Sequence, residues 1–374
     1  MEKAEQTFQN SNPIRLAWRE WALAALLCLG GICLLPLAWP FAGTRLSHPD
    51  YRVPGELGSD YWMFRQWSEY ARDKYAVMVL GDSVVWGQYV QNGDTLTHHL
   101  NELAGNSTFA NLGVDGLHPA AMAGMVSYYG KGIRDGRVLL HLNPLWMSST
   151  KQDLQTKGGE RFNHPKLVPQ VVGRPIAYEP TPAEAAEAVL EERVPFFSWK
   201  EHLKIAYWEG MSLPDWSIEN PYVVIPRDRG PDSFSGDDPG SEPLSWRKRG
   251  IAPADLPWIE AGRSYQWRSF KNVVWELRSR RNRVFVILGP FNTHALTPKS
   301  RTRYEALKRA MEQWLQQQRI PYSAPRLLPT DLYADVSHPL GDGYREIAKE
   351  LWGSSAFHDW LGGGARAFNP SPRG

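Results

Sequence analysis

The stretch YAVMVLGDS, Tyr75 to Ser83, decides how the rest of this chain is read. It is too short and too continuously apolar for an amphipathic helix, and a glycine halts it. It therefore predicts a buried strand running into a turn. Just before it, Asp60 to Lys74 carries Trp62, Phe64, Trp67 and Tyr70 at helical spacing. After it the alternation continues. Thr95 to Leu103 reads as a helix, Thr108 to Val114 as a strand with a glycine turn, and Ala120 to Tyr129 as a helix. RVLLHL, Arg137 to Leu142, is a second buried strand. Ser264 to Arg281 is a long amphipathic helix, RVFVIL at Arg283 to Leu288 a third apolar strand, and Lys299 to Gln318 and Tyr344 to Trp352 are helices. Strands alternating with helices predict an α/β domain whose parallel sheet is covered on both faces.

Between Trp146 and Ala261 the alternation breaks down. Residues 147–261 are rich in Pro and Trp, with one convincing helix at Pro182 to Glu192 and a polar run, RDRGPDSFSGDDPG, at Arg227 to Gly240. So long an irregular stretch inside a compact domain reads as a functional insertion or lid. Upstream, Trp21 to Thr44 contains no charged residue, and roughly 20 apolar residues suffice to cross a bilayer as a helix. Arg15 and Arg19 precede this run, while Arg45 and Arg52 after it are diluted by Asp50 and Glu56. The bias predicts an inside N-terminus and an extracytoplasmic, periplasmic or cell-surface, bulk. The run is longer than a usual signal-peptide core and no small-x-small site follows, so an uncleaved anchor is expected. The layout is thus a cytoplasmic segment at 1–20, an anchor at 21–44, a Pro- and Gly-punctuated linker with a packing helix at 45–74, a domain at 75–360 and a frayed tail at 361–374.

Forty-two basic against forty acidic side chains give a formal net charge of +2, which offers no electrostatic case for nucleic acid. The two cysteines, Cys28 and Cys33, lie inside the apolar run, so nothing downstream can form a disulfide or a cysteine metal site. The 17 Trp suit a Trp-rich core and insertion, or platforms for sugar rings.

Two short motifs carry chemistry. Gly81-Asp82-Ser83 ends the first strand, and ligands of open parallel sheets bind outside the carboxyl ends of the strands. Asp335-Val336-Ser337-His338 precedes the last helix. A serine hydroxyl needs a neighbouring base to take its proton, and that base needs an acceptor to hold its tautomer. Asp and His three apart in one loop can serve as that pair. Taken singly, each motif also reads as an ordinary capped or solvated turn.

Together, in this order and at these ends of the domain, the two motifs resemble the SGNH/GDSL hydrolase family. The resemblance implies a three-layer α/β/α fold, with Ser83 as nucleophile, His338 as general base and Asp335 as its orienting partner. It also implies an oxyanion hole. Asn111-Leu-Gly-Val-Asp-Gly116 is similar to the family's second block, which makes Gly116 the donor glycine with Gly113 in reserve; Ser83 N–H adds a second donor. The family's Gly-x-Asn-Asp block has its counterpart in HLNPLW, where Asn143 takes the place of the block's Asn, while His141 and Pro144 replace its Gly and its following Asp. The resemblance covers Tyr75 to Gly130 and Val284 to Trp352; the insertion lies outside it.

Asn143 to Trp146, NPLW, also resembles the Ser-Pro-Gln-Trp segment of DltD proteins, N-terminally anchored SGNH-like proteins that work with a membrane-bound O-acyltransferase. Alginate O-acetylation proteins share that plan. The implied substrate is an acylated glycan or lipid of the envelope, and the implied partner a membrane-bound O-acyltransferase. Asp82, Trp86, Asp115, His141 and His294 are candidates to line the pocket. His98 and His99 are adjacent on a predicted helix and point apart, and no phosphate loop or paired ligand spacing occurs, so no metal and no cofactor is expected. The rival expectation is a non-catalytic, SGNH-shaped scaffold that binds envelope polysaccharide or the acyltransferase through its Trp-rich insertion.

Overall fold

Alternating side chains on four apolar strands give the central sheet two buried faces. The computed structural model describes residues 17–43, 46, 48–53, 58–157, 163–223 and 244–362. Strands β1 (Val77–Gly81), β2 (Phe109–Gly113), β3 (Arg137–Leu142), β4 (Arg283–Leu288) and β5 (Tyr322–Ser323) form one parallel sheet in the order β2-β1-β3-β4-β5. Met78, Leu80, Ala110, Leu112, Val138, Leu140 and Val286 pack into one core. Val77, Val79, Phe109, Leu139, Phe285 and Ile287 pack into the other. The period-2 alternation of a strand accounts for this split.

The first core is covered by α2 (Tyr61–Lys74), α5 (Pro119–Gly124), α9 (Tyr265–Ser279) and α10 (Pro298–Gln317). The second is covered by α3 (Ser83–Trp86), α4 (Leu96–Ala104), α11 (Gly341–Trp352) and α12 (Ser355–Gly362). The fold is therefore the expected α/β sandwich of three layers. Side chains at the predicted boundaries cap the helices: Asp60 accepts from Met63 N, Thr95 from His98 N, Ser264 from Trp267 N and Thr297 from Ser300 N. Outside the insertion, β5 and α12 escaped the sequence pattern. β5 is two residues long, and α12 is an eight-residue helix whose Phe357 and Trp360 pack on Phe285.

The chain divides into residues 1–44 and 45–374. In the first unit, α1 (Trp18–Gly43) runs through Pro36 and Pro40. Its stretch Trp18–Pro40, with mean hydropathy 2.2, is long and apolar enough to cross a membrane.

Two expectations are corrected. The 45–74 segment is not a free linker before its helix: Tyr51, Val53, Asp50 and Arg52 are buried. Asp50 accepts from Thr95 Oγ1 and from Asn111 Nδ2, and Trp86 Nε1 donates to Val53 O at 3.0 Å. Among its described residues the insertion holds three α-helices, α6 (Pro182–Arg193), α7 (Pro195–Tyr207) and α8 (Leu213–Glu219), where the sequence predicts one. α7 hides its period because it buries Ser198 and His202 beside Trp199; His202 Nδ1 lies 2.7 Å from Asp60 Oδ2 and its ring stacks on Trp62. Residues 227–240 and the tail from 363 lie outside the described residues. The expected helix Ala120 to Tyr129 is present, its α-helical part ending at Gly124 and its last turn, Met125–Tyr129, wound wider as a π-helix.

The edge strand β2 has its outward backbone groups matched by side chains and by the arm. Asn101 accepts from Phe109 N and donates to Phe109 O; Pro49 O accepts from Asn111 N at 2.8 Å; Trp67 Nε1 donates to Asn111 O at 2.6 Å; and Gly113 N donates to Asn111 Oδ1 at 2.8 Å.

Gly113 sits where β2 passes the turn holding Ser83, and a Cβ there would lie 2.2 Å from Trp86 N, a backbone atom that cannot swing away. Gly113→Ala is expected to lower the unfolding free energy by about 3 kcal/mol. Urea denaturation checks this, and a wild-type midpoint would contradict it.

Candidate active site

β1 lies between β2 and β3: the chain leaves it to one side for β2 and returns to the other for β3. Such a reversal opens a crevice at the carboxyl ends of the two strands. Asp82 and Ser83 follow β1 and Asn143 follows β3, so they face each other across it.

Ser83 opens the four-residue α3, where its own N–H has no intrahelical acceptor. Ser83 Oγ lies 2.7 Å from His338 Nε2, across 255 residues of sequence. His338 Nδ1 lies 2.8 and 2.9 Å from the two Asp335 oxygens. A carboxylate can only accept, so the ring proton is on Nδ1 and Nε2 is left bare to accept from the serine hydroxyl. Asp335 also accepts from the backbone N–H of Ser337 and of His338, and Asn292 Nδ2 donates to Asp335 O at 3.0 Å. The Asp-x-x-His loop is thus a small, self-bonded unit on which the acceptor and the base share one geometry.

The charges follow from these contacts. Burial works to lower the pKa of His338, but the Asp335 charge and hydrogen bond, and then the charges of Asp82 and Asp115, hold it above its ordinary value of 6.5. Burial works to raise Asp335, and the charge and hydrogen bond of His338 outweigh it, so Asp335 lies below the usual carboxylate value.

Asp82 is the floor of the site. Its Oδ2 accepts from Asn143 Nδ2 at 2.9 Å and Trp146 Nε1 at 2.8 Å; its Oδ1 accepts from Val84 N at 3.2 Å and lies 3.2 Å from His141 Nδ1. His141 Nε2 donates to Gly289 O. Burial would raise the pKa of Asp82, but the hydrogen bond and charge of His141, the charge of His338 and the Trp146 N–H bring it below normal. Asn143 Oδ1 accepts from Leu145 N, so its amide is pinned at both ends with one N–H still to give.

The other candidates divide. Gly116, at φ +69°, is a backbone position suited to glycine, and among the described residues nothing accepts from its N–H. Gly113 is removed as the reserve donor, because its N–H is taken by Asn111 Oδ1. Asp115 is buried, and its charge acts on His338. Trp86 and His294 have their N–H donors committed elsewhere: the indole N–H donates to Val53 O, and His294 Nε2 donates to Leu328 O at 3.1 Å. They brace the walls rather than line the crevice with open donors.

Sequence reasoning missed Trp146, Tyr89 and Arg249. Trp146 stands in the NPLW segment, so its place was readable, but its bond to Asp82 was not. Tyr89 adopts φ +66°, and its ring meets the His338 ring edge-on at 5.4 Å. Arg249, from the end of the insertion, lies 4.9 Å from the Tyr89 ring centroid and donates to Ala334 O at 3.2 Å. Nothing local in the sequence marks a tyrosine for a left-handed backbone.

No protein-family model matches this chain, and no curated protein matches it either.

With ¹³C-labelled histidine, the His338 imidazole is expected to titrate above 6.5 in the wild type. In Asp335→Asn the largest opposing charge is gone and burial prevails, so the midpoint should fall below that of the wild type. An unchanged midpoint would contradict the assigned electrostatics.

Proposed function

We propose that this chain is a serine-dependent esterase or O-acyltransferase of SGNH/GDSL type. It acts on an ester-linked acyl group, acetyl by preference, of a cell-envelope glycan or lipid. The reading rests on one observation above all: Ser83 Oγ stands 2.7 Å from the bare nitrogen of an imidazole whose other nitrogen is held by Asp335. A scaffold has no use for that arrangement, because a buried hydroxyl, imidazole and carboxylate in series serve proton transfer.

In this mechanism Ser83 Oγ attacks the acyl carbonyl carbon as its proton passes to His338 Nε2. The carbonyl π electrons move onto oxygen, and the Ser83 and Gly116 N–H groups with the free Asn143 N–H stabilise that oxyanion. On collapse the C–O bond to the sugar or lipid breaks, and His338 returns its proton to the departing oxygen. The acyl group, now esterified to Ser83, then passes to water or to a sugar hydroxyl, with His338 deprotonating whichever attacks. A membrane-bound O-acyltransferase is the partner class that would supply acyl groups to such a site. The apolar helix α1 supports a single-pass anchor, and the arginines before it favour an extracytoplasmic domain.

A fluorophosphonate probe is expected to label the wild type and to leave Ser83→Ala unlabelled, with ester hydrolysis down at least about 1000-fold. Since the base works only when neutral, the labelling rate should rise with pH and reach half its maximum above 6.5, because His338 is held above that value. If the wild type never labels and frees no acyl group from any ester offered, the proposal fails. Asn143→Ala should lower kcat by about 100- to 1000-fold with a smaller change in KM. Steady-state kinetics on p-nitrophenyl acetate test this, and an unaltered kcat would remove Asn143 from the hole.

A further inference from the structure

We propose that His164, carried by the insertion, is a positioning residue that aims the Gly116 N–H at the oxyanion. This inference deepens the hydrolase reading and rests on it. His164 Nε2 lies 2.6 Å from Asp115 O. Asp115 C=O and Gly116 N–H belong to the same peptide group. Among the described residues the one cis peptide bond is Gly289–Pro290, so this group is trans and its N–H points opposite to its C=O. Whatever holds the carbonyl therefore sets the direction of the donor. His164 holds it.

The tautomer is fixed from behind. A carbonyl oxygen can only accept, so Nε2 carries the proton and Nδ1 is bare; Tyr61 Oη, 2.9 Å away, donates to it. Burial pushes His164 down to about 4 and Tyr61 well above 10, so near neutral pH the imidazole is uncharged and the phenol keeps its proton. The relay Tyr61, His164, Asp115–Gly116 peptide then runs in one sense. Each hydrogen bond polarises the next, which makes the Gly116 N–H a better donor.

The strap that delivers His164 is built to stay in place. His164 adopts φ +56°, a left-handed backbone unusual for a side chain of this size. The preceding residue is held by His118, whose Nε2 donates to Asn163 O at 3.0 Å while its ring packs on Trp146. Behind the strap, Gly124 leaves room for Leu167 O, which would lie 1.8 Å from a Cβ at that position. Such anchoring exceeds what a loop over a surface needs. It matches what a hydrogen-bond donor must have to be aimed within a few tenths of an ångström.

The test uses the full chain in detergent, with p-nitrophenyl acetate and a fluorophosphonate as probes. His164→Phe keeps a ring but loses the donor. It should lower kcat and the labelling rate together by about 10- to 100-fold, with KM changed less than about threefold. His164→Gln, which restores an N–H, should recover part of the loss. Tyr61→Phe, which releases the tautomer without emptying the space, should lower kcat by about 2- to 5-fold. A folded His164→Phe with wild-type kcat, or one altered in KM alone, overturns the relay while leaving the nucleophile assignment standing. If His164→Phe does not fold, Tyr61→Phe decides, and an unchanged kcat there sinks the idea. If the wild type is inert to both probes, the hydrolase reading is lost and the relay with it.

Discussion

A single buried carboxylate, that of Asp82, organises the crevice between the first and third strands. An ionised carboxylate out of water is costly unless its oxygens are fully occupied. Here Val84 N–H, the Asn143 amide, the Trp146 indole and the His141 ring all converge on it. That convergence explains why one end of β3 carries His, Asn and Trp within six residues. Each is shaped to meet one atom of the turn that also presents Ser83. The same anion adds to the field that favours a protonated His338, so the floor of the crevice and its base are electrostatically coupled.

The sheet was legible because its apolar runs are long relative to their neighbours. Arg137–Leu142 and Arg283–Leu288 coincide with their predicted bounds, and the helices begin one residue after the Asp, Thr and Ser that cap them. The juxtaposition of Ser83, His338 and Asp335 was legible for a related reason: Asp and His share a loop, and Ser follows a strand, so topology alone brings the three to one rim. What escaped was everything that depends on side chains crossing between segments. The Pro- and Gly-punctuated stretch before α2 reads as a linker, yet its Asp50 is a buried acceptor for Thr95 and Asn111. The resemblance ranks Gly116 ahead of Gly113 without excluding the latter; the Asn111 side chain, turned back on its own strand, takes Gly113 out of play.

The insertion hid for a different reason. Its inward faces interleave scattered apolar anchors such as Leu154, Leu167 and Trp258 with buried polar contacts: His202 meets Asp60, and Asp153 accepts from the backbone N–H of Tyr265 and Gln266 at the start of α9. Hydrophobic periodicity cannot register contacts made by buried hydrogen bonds. Its last stretch, residues 244–261, is stitched to the loop that bears the base: Trp246 N donates to Tyr333 O, and Arg249 to Ala334 O. Among its described residues the insertion, with no strand and little apolar pattern, meets the crevice from two sides, through Arg249 against the Tyr89 ring and through His164 at Asp115 O.

The way β2 ends the sheet bears on how this chain behaves in company. An outermost strand normally offers a row of bare amides and carbonyls that a strand from another copy can join, the first step of swapping or of fibril growth. Here the row is spoken for by an asparagine, a tryptophan and the carbonyl of Pro49, all from within the same chain. Crowding at a surface therefore finds no template along β2, and copies of the protein that gather there meet this edge through side chains.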